Sequence, residues 1–203
     1  MTLAEIDQAV TQPQPGTRMP ARFSIAQFDA MIDAGVFSAE SDRQIQLLNG
    51  EIVIMTPPNP LHDDVVGLLS AWAFGELHTS RENFEVRVQL SMDLAKQNSV
   101  VLPDLMLVAP RSYATHRPTA SDTRLLIEVS DTTLVYDLGD KMRMYAAENV
   151  VEFWVIDIPH RSLIVHLDPA EGRYRSVQTI GEHELVSAQS LADVSLSVSR
   201  LFR

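Results

Sequence analysis

The stretches Pro103-Asp104-Leu-Met-Leu-Val-Ala109, Arg124-Leu-Leu-Ile-Glu128-Val129 and Asp137-Leu-Gly-Asp-Lys141 decide how this chain is read. Residues 105–109 and 124–129 are short apolar runs suited to central strands, and 137–148 carries Leu138, Met142 and Tyr145 at helical spacing. Two acids and a lysine are therefore borne by segments that otherwise look buried. An ionised carboxylate buried without a partner costs several kcal/mol, so such acids have a salt bridge, a metal or a part in catalysis.

Working outward, residues 43–48 run into Asn49-Gly50 and out through 51–55, a strong hairpin signal. Before it, Ser24 with Gln27 forms a capping box, Phe28, Met31 and Ile32 have helical spacing, and Gly35 is placed to end the turn. After Pro57-Pro58-Asn59-Pro60, the positions Val65, Leu68, Leu69, Trp72, Ala73 and Leu77 predict the longest helix. Residues 84–92 alternate like a strand with one wet face, 151–158 is a further strand, and 162–167 returns as a hairpin after Pro159-His160-Arg161. The tail reads as short strands and turns. Trp72, Phe74, Phe153 and Trp154 sit in periodic apolar segments and read as core. Residues 9–22 hold three prolines and a glycine without apolar periodicity, so 1–22 is expected to be a flexible lead-in and 23–203 a single domain. The element order implies a mixed α/β (α+β) domain with a central mixed sheet flanked by helices. No glycine-rich loop follows the first strand and no G-x-x-x-x-G-K-[ST] occurs, which argues against a doubly wound nucleotide-binding fold.

The 203 residues suit one well-filled core, and 45% hydrophobic with 21% charged residues is ordinary for a soluble domain. No apolar run has spanning length, and Met1-Thr-Leu-Ala-Glu-Ile-Asp7 lacks the basic start of a secretory signal. With no cysteine there is neither a disulfide framework nor a thiolate zinc site, and a cytoplasmic protein is expected. A formal charge of −11 disfavours broad, sequence-blind nucleic-acid binding, although an acidic site offset by metal would account for part of it.

Each candidate has a plain reading beside the functional one. Asp104 is either a turn aspartate or a site carboxylate at the start of a buried strand. Glu128 is either half of a structural salt bridge, with Lys141 as the partner, or a site acid. Asp137 and Lys141, four apart, form either a surface pair or, with Tyr145 on the same helix face, the border of a metal site. His62, near the start of the long helix, is either an ordinary surface or capping histidine or a site residue, and Asp63 and Asp64 beside it suit the positive end of the helix dipole. The other histidines form no zinc motif, and no G-x-S-x-G elbow is present.

In order, Leu47-Leu-Asn-Gly-Glu-Ile-Val-Ile-Met-Thr-Pro-Pro-Asn-Pro-Leu-His62, Pro103-Asp104, Ile127-Glu-Val-Ser130, Asp137-x-x-x-Lys141-x-x-x-Tyr145 and Val151-Glu-Phe-Trp-Val-Ile-Asp157 resemble the Uma-type restriction endonuclease family, a branch of the PD-(D/E)XK nuclease superfamily. The resemblance covers about residues 24–195. It implies a restriction-endonuclease-like fold with extra N-terminal and C-terminal strands, and a magnesium-dependent phosphodiesterase site acting on DNA, with manganese as a substitute. It implies that Asp104 and Glu128 hold the metal with the Val129 carbonyl, and that Lys141 assists the attacking water or the transition state. His62, Gln46, Asp137, Tyr145 and Ser130 are the implied supporting residues. The superfamily's usual lysine position is Ser130 here; the resemblance implies that this family supplies its lysine from the following helix, a position that Lys141 matches. Gln46 stands where the family pattern commonly has glutamate, which removes one negative charge. A homodimer is expected, since two sites are needed to cut both strands. The alternative expectation is an inactive member of the fold that serves as a nucleic-acid or protein interaction module.

Overall fold

The computed structural model describes residues 20–40, 43–76, 84–189 and 195–203. Most of the expected lead-in, together with Leu77 and His78, lies outside them. Helix α1 (Ile25–Asp33) begins where the capping box predicts. The Ser24 hydroxyl accepts from the Gln27 amide at 3.2 Å, and the Gln27 side chain accepts from the Ser24 amide at 2.9 Å. Two donors that a helix start leaves unpaired are thus satisfied reciprocally. Strands β1 (Gln44–Leu48) and β2 (Glu51–Met55) form the expected hairpin. Asn49 and Gly50 have φ of 51° and 80°, the left-handed pair whose twist matches that of the strands.

Helix α2 (Pro60–Glu76) is the long helix. Asn59 Oδ1 accepts from the amides of Leu61 and His62, each at 3.0 Å, and Pro60 opens the helix where no donor is needed. Val65, Leu69, Trp72 and Ala73 are buried as expected. Phe74 is not a core residue: it is 51% exposed, because two residues along a helix turn the side chain about 200° away from Trp72. The run 84–92, expected as one strand, is two. Strand β3 (Glu85–Val88) ends at Gln89, and β4 (Met92–Leu94) joins a different sheet.

With β5 (Ser99–Val101), the smaller sheet has the order β2-β1-β5-β4. The main sheet comprises β6 (Leu105–Val108), β7 (Thr123–Ser130), β8 (Glu152–Asp157), β9 (Ser162–Ala170) and β10 (Arg173–Gly181), in the order β10-β9-β8-β7-β6-β3. β7 and β8 are parallel and the other neighbours antiparallel, so the sheet is mixed as predicted. A parallel pair needs a crossover, supplied by helix α3 over residues 134–147. It starts three residues before the expected Asp137 and has three pieces: Leu134–Tyr136, a wide π turn at Asp137–Lys141, and Met142–Ala147. The tail is less fragmentary than expected, since β9 and β10 run nine residues each before β11 (Leu185–Ser187) pairs with β12 (Ser195–Ser197).

The central strands β6, β7 and β8 are buried on both faces, which is why they read as unbroken apolar runs, whereas the edge strand β10 is largely exposed. Leu125, Ile127, Val129, Trp154 and Ile156 pack toward α2, where Trp72 stacks on Trp154 with ring centroids 6.5 Å apart. Met106, Leu126, Phe153 and Val155 pack toward α3, against Met144 and Tyr145. Each large apolar side chain buried this way contributes about 1.5–3 kcal/mol.

Candidate active site

Alternation along β7 assigns its residues to faces. Leu125, Ile127 and Val129 point toward α2, so Glu128 points with Leu126 toward α3. On β6, Met106 and Val108 face α3, and Asp104, two residues before Met106, shares their side. Leu105 lies opposite Ile127, which brings the start of β6 beside the end of β7. Both acids are thus on one face at one end of the sheet.

Asp104 is held through one oxygen more tightly than through the other. Oδ2 accepts from the Val129 amide at 2.8 Å and lies 3.3 Å from His62 Nε2, while Oδ1 lies 3.4 Å from Gln89 Nε2. Burial works to raise its pKa, but His62, the Val129 N–H and Lys141 outweigh it and hold the carboxyl below its ordinary range. For His62, burial works downward, yet Asp104 and Asp63 overcome it and the imidazole pKa is raised.

Glu128 is 2% exposed and fully engaged. Oε1 accepts from the Tyr145 hydroxyl at 2.5 Å, and Oε2 lies 3.1 Å from Lys141 Nζ. The same ammonium lies 3.2 Å from Asp137 Oδ1, whose other oxygen accepts from the Thr133 hydroxyl at 2.5 Å. Asp137 and Lys141 are therefore not a surface pair, for Asp137 is 1% exposed and the pair sits in the π turn. Burial pushes Glu128 up to about 7, with Lys141 countering and Asp104 and Asp137 adding to the rise. Burial would lower Lys141, but its three carboxylate neighbours outweigh that, raise its pKa and keep it an ammonium. Burial and Glu128 together drive the Tyr145 phenol well above its usual value.

Gln46, Asp104, His62, Glu128, Asp137 and Lys141 line one cavity of about 230 Å³. Tyr145 acts from behind, through Glu128, and Ser130 is buried with Oγ 3.4 Å from Thr133 Oγ1. Gln46 is 3% exposed, and its Oε1 is buried without a hydrogen-bond donor. Three contributors were not anticipated. Asn59 also donates from Nδ2 to Asp131, tying the α2 start to the loop after β7, and an Asn before a helix-opening Pro was a readable signal. Thr133 and Gln89 had none.

The wall is rich in oxygen and carries more acids than cations, which suits a hard divalent cation. Among the described residues no three His, Asp or Glu side chains cluster as ligands, so two carboxylates would need amide or backbone oxygens and water to complete a shell.

Residues 25–199 match the family model Uma2, described as "Putative restriction endonuclease". A solved structure titled a "putative nuclease belonging to DUF820", from Anabaena variabilis, superposes with a TM-score of 0.68 at 15% identity, covering 89% of this chain and 97% of that one. That likeness shows the shared fold. No curated protein matches the chain.

Proposed function

The chain belongs to the Uma2 family, and from that premise we propose that it is a metal-dependent endonuclease hydrolysing DNA phosphodiester bonds. One observation carries the reading: Asp104 and Glu128 come to one face of the sheet and one cavity, with Lys141 3.1 Å from Glu128. Asp104, Glu128 and the Val129 carbonyl would hold magnesium, or manganese in its place, with Gln46 Oε1 as a further oxygen. Two features support that fit. The donors are all hard oxygens, and the Gln46 oxygen is buried without a donor. The N–H and C=O of one strand residue point to the same edge, so the Val129 carbonyl faces the edge where its N–H meets Asp104.

When bound, the cation offsets phosphoryl charge and makes water more acidic. The chain's own groups do the rest. Lys141, kept protonated by three carboxylates, is no base; it stabilises negative charge growing on the phosphoryl oxygens. Tyr145 and Lys141 fix the Glu128 carboxylate, and the Val129 amide and His62 fix Asp104. The neutral Gln46 leaves the wall one charge less negative than a glutamate there would, which weakens cation binding. A symmetric dimer would present two such sites to the two strands of a duplex.

The second reading, an interaction module with an inert centre, draws support from the same network, since both Glu128 oxygens already have partners within the protein. Cleavage of plasmid and single-stranded DNA in magnesium or manganese separates the two. Activity reduced at least about 100-fold by Asp104→Ala and by Glu128→Ala is the expected result, a loss at the upper end of what removing even an outer partner of a metal does. Cleavage untouched by either substitution contradicts the nuclease.

A further inference from the structure

Gln89 stands where β3 leaves the main sheet, and its backbone is left-handed, with φ 49°. A side chain carrying a Cβ is crowded in that conformation. Six other non-glycine residues share it among those described. Asn49, Asn98, Asn149 and Asp168 are of the types that tolerate it, and Arg161 and Glu171 lie in the tight connections of the β8–β9 and β9–β10 hairpins. Gln89 has neither reason, because the strands on its two sides belong to different sheets.

What Gln89 does have is Asp104. Its backbone N–H donates to the Asp104 carbonyl at 3.1 Å, and its side-chain Nε2 reaches Asp104 Oδ1 at 3.4 Å. The other two partners of that carboxylate, the Val129 amide and His62, both meet Oδ2. The terminal torsion of an aspartate is soft, so a carboxylate held through one oxygen alone can still pivot about it. A donor on Oδ1 removes that freedom.

We infer that Gln89 is a positioning residue: its left-handed backbone carries an amide to the far oxygen of Asp104 and sets the plane in which that carboxylate faces the cavity. The inference rests on the reading of Asp104 as a cation ligand, and outer partners of this kind typically govern metal affinity by 10–100-fold.

Gln89→Gly separates this role from a merely structural one. Glycine takes a positive φ freely, so folding stability holds or rises while the amide is lost. Expected are Mn²⁺ binding weakened by about tenfold in calorimetry and faster hydrogen exchange at the Val129 amide, whose acceptor Asp104 has become mobile, with other β7 amides unchanged. Gln89→Asn tolerates the backbone but is one methylene short, and falls between glycine and wild type. Val129 exchange equal to wild type in Gln89→Gly overturns the inference. If the wild-type protein binds no Mn²⁺ at millimolar concentration, the ligand reading of Asp104 fails separately, and Val129 exchange still decides the positioning role.

Discussion

Glu128 on β7 and Glu152 on the neighbouring parallel strand β8 are each 2% exposed and each sit among apolar residues. Burial raises the pKa of both. Their partners differ in kind. Glu152 faces the α2 side beside Trp154, and its oxygens accept from Trp154 Nε1 and from the Gln189 amide, both at 2.9 Å. These are neutral donors, and they tie the C-terminal segment to the sheet. Glu128 instead meets a phenol and an ammonium that a second buried acid shares, at the end of the sheet where Asp104 arrives. An apolar neighbourhood thus marks a buried acid. It takes a converging second acid and a cation to mark a site.

The contrast is tested most severely at Lys141. Lys141→Ala leaves Glu128 and Asp137 uncompensated in the interior and should lower stability by about 3–5 kcal/mol in chemical denaturation. Added magnesium should restore part of that loss, because a ligand of the folded state stabilises by mass action. A loss below about 1 kcal/mol, the range of exposed pairs, would mean that the network is not what fixes Glu128. Glu152→Ala strands two neutral donors and should lower stability by about 1–3 kcal/mol. Cleavage per folded molecule should not change, and a matching fall in activity would erase the distinction between the two glutamates. The smallest effect is a pH dependence. With its folded pKa raised by burial, against the pull of the Gln189 and Trp154 N–H groups, Glu152 holds its proton more tightly in the folded state than in the unfolded chain. Its stabilising contribution is complete below the usual 4.5 and is lost as pH rises through the folded value. Wild type should therefore lose stability relative to Glu152→Gln over that rise, and a gap that stays flat would contradict the assignment.

Features set by neighbours in the chain were legible in the sequence. The Ser24 and Gln27 box, the Asn49-Gly50 turn and the period of α2 are local signals, and each appears where it was expected. The family motifs were also enough to name Asp104, Glu128, Lys141, His62 and Gln46, which line one cavity. What the sequence concealed depends on distant pairing or on a single backbone angle. Nothing near β1 announces that Leu47 pairs with Val100, and nothing in the alternating run 84–92 shows that Gln89 turns left-handed and sends β4 into another sheet. The spacing of Asp137 and Lys141 fits a surface pair as well as a buried one. Only the packing of α3 over the sheet, with its π turn, decides that they are inside.

The central claim, that Asp104 and Glu128 hold a divalent cation, meets its most direct test in calorimetric titration of Mg²⁺ and Mn²⁺ into the wild-type protein, Glu128→Ala and Glu152→Ala. The account predicts binding to wild type and to Glu152→Ala, and none to Glu128→Ala. Equal binding by all three, or no binding by folded wild type at millimolar metal, would contradict it.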